Sequence, residues 1–374
     1  MTPEKLLIVV SHPIQYFAPL YREIVKNPRI QLTVLFYGAE QQENYFDLGF
    51  QRNIQWDVDL LDGYHGMFLP KKFWSSLGKL WQVIKENDHI LVSSFIPFYN
   101  LFAVLMARRL HKKILYRCES HLLDPKNHLL KWLKRLVLTR LFKLIDCGLY
   151  IGAQNQSYLR YYGLQQLVFS PYAVDNDYFM RQTPNQSLRE KWAIKANDKV
   201  ILFVGKLIRK KQPDLLLRAF AEVQKYLSCH LVFVGTGPLQ KQLETSCQTQ
   251  KITNVHFAGF INQSQIAHVY HSANILVLPS AYQETWGLVV NEAMACGVPA
   301  VVSTRVGCAN DLVLPGQTGA IFEWDSQKDL VRAILSLLEP PNDALAKQSC
   351  LQHIRGYSLP AASVGITKAC ITSL

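Results

Sequence analysis

The chain has 374 residues, enough for two domains, and 49% of them are hydrophobic against 18% charged. That balance excludes an intrinsically disordered chain, and no apolar run nears the roughly 18 residues that a membrane-spanning helix needs. A net charge of +12 points to anionic partners, whether nucleic acid, lipid or phosphorylated small molecules, without choosing among them.

The first apolar run, Leu6–Val10, is too short for the core of a secretion signal, so a cytoplasmic protein, or one on the inner face of a membrane, is expected. Further runs read as strands at Leu32–Phe36, Ile90–Ser94, Lys113–Arg117, Gly148–Ile151 and Gln166–Phe169. A second series follows at Val200–Val204, His230–Val234, Asn254–Phe257, Ile275–Leu278, Pro299–Val302 and Gly319–Phe322. Amphipathic stretches such as Pro213–Tyr226 and Pro238–Cys247 separate most of them. This alternation predicts an α/β protein with two parallel sheets, each flanked by helices. The segment Ser170–Ser187 has prolines and turn formers but no period, and it reads as the linker. Domains over 1–175 and 176–358 follow, with 359–374 a C-terminal helix expected to cross back to the first. The eight cysteines form no CxxC pair and sit mostly in apolar runs, which predicts buried free thiols and no metal site.

Two segments carry chemistry. After the strand Val200–Val204, Gly205 opens a loop with Lys206, Arg209, Lys210 and Lys211, and Pro213 suits a first helical turn. Four cations at the carboxyl end of a strand suit a diphosphate, or else form a solvated basic loop. The second segment, PSAYQETWGLVVNEAMACGVPAVVS at 279–303, follows the strand Ile275–Leu278. Gly287 opens a helix there that runs to about Cys296, with Gly297 as its stop. The amides of Trp286, Gly287 and Leu288 lie at the helix start, where the dipole favours an anion. Glu284 precedes this end and Glu292 lies inside the helix. The pair suits sugar hydroxyls at both ends of a diphosphate; the plainer alternative is a capping carboxylate and a solvent-facing one.

Three blocks together resemble the retaining glycosyltransferase family 4, which has the GT-B fold. They are GKLIRKKQPDLLLRAF at 205–220, VFVGTGPL at 232–239, and the 279–303 segment with seven residues between its two glutamates. The resemblance is close over roughly 199–322 and only general in the first half. It implies two Rossmann-like domains facing a cleft. Lys206 and Lys211 would bind the donor diphosphate with Gly205, Glu284 would hold the transferred sugar, and Glu292 would hold the ribose. The Thr285–Leu288 amides would meet sugar and phosphate, and Gly259 and Phe260 would lie near the base. No metal or other cofactor is implied, because lysines and amides neutralise the diphosphate. The chain departs from the family pattern at Lys206, where arginine is usual, at Gln212, where glycine is usual, and at Asp311, where glutamate is usual.

In the first half, the loop after Val10 has no glycine pair, so side chains such as His12, Gln15 or Tyr16 would act there. His121 follows the strand Lys113–Arg117, where the family often has a histidine near the reacting sugar; a purely structural histidine is the alternative. The stretch Lys126–Lys143 is basic, free of acids and rich in leucine, and KKFWSSLGKLW at 71–81 reads as a basic, aromatic loop. The first is either a helix on an anionic membrane or a domain helix with one buried face.

The expected activity is metal-independent transfer of a hexose-type sugar, with retention, from a nucleotide sugar to a hydroxyl acceptor. A glycolipid or polysaccharide precursor is the acceptor expected. A nucleotide-sugar isomerase or epimerase of the same fold is the alternative. A nucleic-acid partner is not expected, since no aromatics interleave with the basic residues on a strand. Nor is a dehydrogenase, since Val10–Gln15 lacks G-x-G-x-x-G.

Overall fold

The continuous apolar runs are parallel strands buried on both faces, which is why they read as unbroken hydrophobic blocks rather than alternating ones. A computed structural model describes residues 2–38, 45–47, 49, 52–54, 57–70, 72–96, 98–123, 128–183, 186–195, 197–338 and 343–372. The chain forms two units, one of Met1–Glu43, Asp59–Val174 and Tyr357–Leu374, the other of Asn44–Val58 and Asp175–Gly356.

In chain order the elements up to the linker are β1 (Glu4–Val10), α1 (Ala18–Val25), β2 (Ile30–Phe36), β3 (Tyr45–Asp47), β4 (Arg52–Ile54), β5 (His65–Phe68), α2 (Phe73–Glu86), β6 (His89–Val92), α3 (Phe98–Arg109), β7 (Lys113–Tyr116), α4 (His128–Phe142), β8 (Cys147–Tyr150), α5 (Ala153–Tyr161) and β9 (Leu167–Phe169). The first sheet has the order β5-β2-β1-β6-β7-β8-β9, with every pair parallel. Alternate residues of β1 face opposite layers: Leu7 and Val9 pack with α2, α3, α4 and α5, while Leu6, Ile8 and Val10 pack with α1 and the C-terminal helix.

The second half runs α6 (Asn176–Arg181), α7 (Gln186–Lys191), β10 (Lys199–Val204), α8 (Pro213–Val223), β11 (Cys229–Val234), α9 (Gln240–Thr249), β12 (Val255–Gly259), α10 (Gln263–His271), β13 (Ile275–Leu278), α11 (Leu288–Ala295), β14 (Ala300–Ser303), α12 (Ala309–Leu312), β15 (Gly319–Phe322), α13 (Gln327–Leu338), α14 (Asp343–His353) and α15 (Leu359–Ile371). The second sheet has the order β12-β11-β10-β13-β14-β15, again all parallel. The helix α15 packs on α1 and β9 of the first unit, and the Ser170 hydroxyl donates to the Ala362 carbonyl at 3.0 Å.

Four features differ from the sequence expectation. The edge strand β5 has no apolar run to announce it. In the segment expected as a loop at 71–81, Phe73 onward is instead helix α2, whose Leu80, Val83 and Ile84 supply a buried face, while Lys71 lies outside the described residues. The linker holds helix α6, because Asp175 caps it by accepting the Tyr178 amide at 3.0 Å. Finally, Asn44–Val58 belongs with the second unit although its sequence position is in the first domain. Asp57 accounts for part of this: its carboxylate accepts the Ser264 amide at 3.3 Å in the first turn of α10, where the helix dipole favours an anion. All eight cysteines are free, and all but Cys247 are buried.

Candidate functional site

The chain leaves β10 towards β11 and β12 on one side, then returns to place β13 on the other. Parallel sheets bind ligands at such a reversal, outside the carboxyl ends of the strands. The loop after β10 carries Lys206 and Lys211, and the loop after β13 carries Glu284, so the two chemical segments of the sequence meet at that reversal. The Ala281 amide donates to the Lys210 carbonyl at 2.8 Å and ties the loops together.

At the centre of the site, the Lys211 ammonium donates to Glu284 Oε2, and the side chains are 14% and 12% exposed. The Ser280 hydroxyl donates to the same oxygen at 2.7 Å. Burial opposes the charged carboxylate, but the Lys211 charge, the hydrogen bonds from Lys211 and Ser280, and the charge of Lys210 together outweigh it. Glu284 is therefore held below its ordinary range and is ionised at neutral pH. A Cβ added to Gly205 would lie 3.8 Å from Lys211 Cε, so the lysine stem passes over the strand end. Lys206, the next residue, is part-buried and packs on Gly49 of the second unit.

Gln212, where a glycine was expected, adopts the left-handed conformation at φ 46°, ψ 46°. Despite its Cβ, the residue at this position takes the conformation that a glycine would adopt without strain. Its side-chain amide, with nitrogen towards the carbonyls, donates to Pro279 at 2.6 Å and Trp324 at 2.9 Å. Those bonds offset a backbone cost of roughly 1–2 kcal/mol for a residue with a Cβ.

The helix α11 begins where the resemblance requires. Gly287 caps it at φ 104°, and a Cβ there would come within 2.9 Å of Leu278. The Gly287 and Leu288 amides occupy the helix start, whose first turn has no intrahelical acceptors. The preceding loop is pinned, since Gly307 donates to the Glu284 carbonyl and Cys308 to the Trp286 carbonyl, each at 3.0 Å. Thr285 is exposed, whereas Trp286 is buried and its indole donates to Asn291 at 2.8 Å. Trp286 thus offers the site its backbone, not its ring. Cys308 lies beneath this turn, and burial first, then Glu284 and Asp311, push its thiol well up, so it is no nucleophile.

Glu292 departs from the solvent-facing alternative: it is 2% exposed, and the Tyr270 hydroxyl of α10 donates to it at 2.6 Å. Neither Tyr270 nor Ser280 is legible as a partner from sequence, because each contact depends on the fold. The G-T-G-P turn after β11 completes the floor. Gly235, at φ 120°, approaches Gly205 so closely that a Cβ would lie 2.0 Å from its carbonyl oxygen, and its amide donates to Gly259 at 2.7 Å. Gly259 and Phe260 follow at the end of β12, and the space where a Gly259 Cβ would stand is open.

The remaining candidates belong to the first unit. His12 follows β1, is exposed, and lies 2.9 Å through Nδ1 from the Ser11 hydroxyl. His121 follows β7 and is buried, with Nδ1 accepting the Leu123 amide at 3.2 Å. A neutral His121 therefore carries its proton on Nε2. In the same unit lies a network that the sequence does not announce: Arg117 donates to the Pro171 carbonyl at 2.9 Å and stacks on Tyr172, whose hydroxyl donates to Glu119 at 2.7 Å.

Comparison with known proteins follows the same division. Residues 184–349 match the family profile described as Glycosyl transferases group 1. The chain is 33% identical over 205 residues to D-inositol 3-phosphate glycosyltransferase 2 of Catenulispora acidiphila, which covers 51% of this chain and 47% of that protein. It is 32% identical over 146 residues to an uncharacterized glycosyltransferase of Methanocaldococcus jannaschii, covering 39% of this chain and 37% of that one. The match thus spans less than half the length of either curated relative. Among solved structures, Anabaena HepE in complex with UDP and glucose superposes with a TM-score of 0.72 over 98% of both chains at 16% identity. The sucrose-phosphate synthase of Thermosynechococcus elongatus gives 0.69 over 98% of both at 18%. These likenesses, with the two parallel-sheet units, establish the GT-B fold, and the segment that matches the profile lies in the second unit. No helix among the described residues is long and apolar enough to cross a membrane.

Proposed function

We propose that the protein is a retaining glycosyltransferase that moves a hexose-type sugar from a nucleoside-diphosphate donor to a hydroxyl acceptor. The observation that carries this reading is the meeting of Lys211, Glu284 and the α11 start at the strand reversal of the group 1 domain. It supplies a cation, an ionised carboxylate and helix-terminal amides within one small region, which is what a sugar diphosphate needs along its length. HepE, solved with UDP and glucose, supports a nucleotide-sugar donor.

In this reading the departing diphosphate is met by Lys206, Lys211 and the Thr285–Leu288 amides, which stabilise charge as it develops. Lys211 has a second duty, since its ammonium also keeps Glu284 ionised. Glu284 accepts hydroxyls of the transferred sugar and carries negative charge beside a centre that becomes oxocarbenium-like. Glu292, oriented by Tyr270, serves the ribose, and Gly259 and Phe260 serve the base. His12 and His121 act on the acceptor side, and the acceptor is a glycolipid or polysaccharide precursor. No metal is assigned, because the lysines and amides take the neutralising role.

A panel of nucleotide sugars and nucleoside diphosphates, scored by thermal stabilisation and by slow hydrolysis, tests this. One nucleotide series should stabilise the protein and release its diphosphate. A flat response across the panel would overturn the reading.

A further inference from the structure

The helices α2, α3 and α4 lie in one layer, because their inner residues share one core on one face of the first sheet. A helix on a water-facing surface turns its polar side outward. These three do not. On α2, Trp74 is 81% exposed and shares a face with exposed Trp81 and Lys85. On α3, Phe98 is 75% exposed and shares a face with exposed Leu105 and Arg109. On α4, Trp132 is 57% exposed and shares a face with exposed Leu136 and Arg140. Each stripe is apolar towards the carboxyl edge of the sheet and basic towards the other edge. Among the described residues, nine of the seventeen exposed large apolar side chains lie on these three helices. The same helices carry one acid, Glu86, against eight lysines and arginines.

We propose that this helical layer is a docking face for an anionic lipid surface. Tryptophan and phenylalanine suit the boundary between headgroups and acyl chains, and the cations add attraction to anionic headgroups. Charge argues against a second copy of this chain as the occupant, since two such faces would bring like charges together. Docking through the apolar ends of the stripes brings the carboxyl edge of the first sheet, with His12 and His121, to the lipid.

Vesicle flotation of the full chain at low salt tests the face. Phosphatidylglycerol–phosphatidylcholine vesicles should retain the protein at least about tenfold better than phosphatidylcholine alone, with retention falling as salt rises. The triple variant Trp74→Ser/Phe98→Ser/Trp132→Ser should lose at least about tenfold in retention on the anionic vesicles, as should Lys85→Glu/Arg109→Glu/Arg140→Glu. All six positions are exposed, so both variants should melt as the wild type does and keep its response to nucleoside diphosphate, which separates this face from the donor site. No retention at low salt, unchanged retention in both variants, or a concentration-dependent dimer that the apolar variant dissolves would each overturn the proposal.

Discussion

Replacing Lys211 tests two duties of one side chain. A loop-borne lysine on a surface would be dispensable for folding, but this one neutralises a carboxylate whose side chain is only 12% exposed. Removing one partner of a buried ion pair costs about 3–5 kcal/mol, and the Ser280 bond that survives places Lys211→Ala near 3. In a unit of this size, about 3 kcal/mol lowers the melting temperature by roughly 6–12 °C. The assay is a thermal melt at neutral pH, following the transition that nucleoside diphosphate shifts. The double variant Lys211→Met/Glu284→Gln should recover most of the loss, because a neutral amide bonded to Ser280 needs no counter-charge. The pH dependence has a definite sign. Glu284 has a folded value below its ordinary 4.5, so the pair's contribution is complete above 4.5 and is lost as pH falls through the folded value. The gap between wild type and Lys211→Ala should therefore close in acid. A Lys211→Ala protein that melts with the wild type at neutral pH, or a double variant no better than the single, would refute the reasoning.

Gln212→Gly should change stability by less than about 1 kcal/mol, since relief of the left-handed backbone offsets two lost hydrogen bonds, whereas Gln212→Val should cost more than about 2; denaturant titration separates the two. The His230–His256 pair, 2.9 Å apart, should make the second unit sensitive to mild acid. Burial first, and His230 second, hold His256 below its ordinary 6.5, so stability is complete above 6.5, declines as pH falls below it and levels off below the folded value. His256→Asn should flatten that profile in melts across the range, and an unchanged slope would remove the pair from the account. The product sugar should keep the donor's anomeric configuration by proton NMR, and Glu284→Gln should lower turnover more than it lowers affinity for the free nucleoside diphosphate; an inverted product would overturn the assigned mechanism.

Much of the fold is legible in the sequence because parallel strands buried on both faces leave unbroken apolar runs, as β1, β10 and β13 do. The edge strand β5, His-Gly-Met-Phe, is half exposed and leaves no such mark. Helix α6 hides among turn formers because the residue that starts it, Asp175, is itself a turn former. At the candidate site, the resemblance singles out Glu284, Glu292 and Lys211, but the sequence does not show what holds them. Ser280 is four residues from Glu284, yet nothing distinguishes its hydroxyl from any other until the loop is folded. Tyr270 meets Glu292 from a different helix. Gln212 shows the opposite case, where a residue with a Cβ takes the left-handed conformation that glycine favours. The exposed stripes on α2, α3 and α4 required knowing which helical face the sheet already covers, since apolar residues on both sides read simply as a hydrophobic helix.

The proposed donor site in the second unit is tested most directly by titrating the nucleoside diphosphate found in the panel into wild-type protein and Glu292→Gln, both in excess chelator. Calorimetry should give saturable binding at one site without added metal. Glu292→Gln should weaken it about tenfold or more, because a buried carboxylate bonded to Tyr270 gives way to an amide facing the ribose. Binding that vanishes in chelator and returns with magnesium or manganese, or that is equal in the two proteins, would contradict the account.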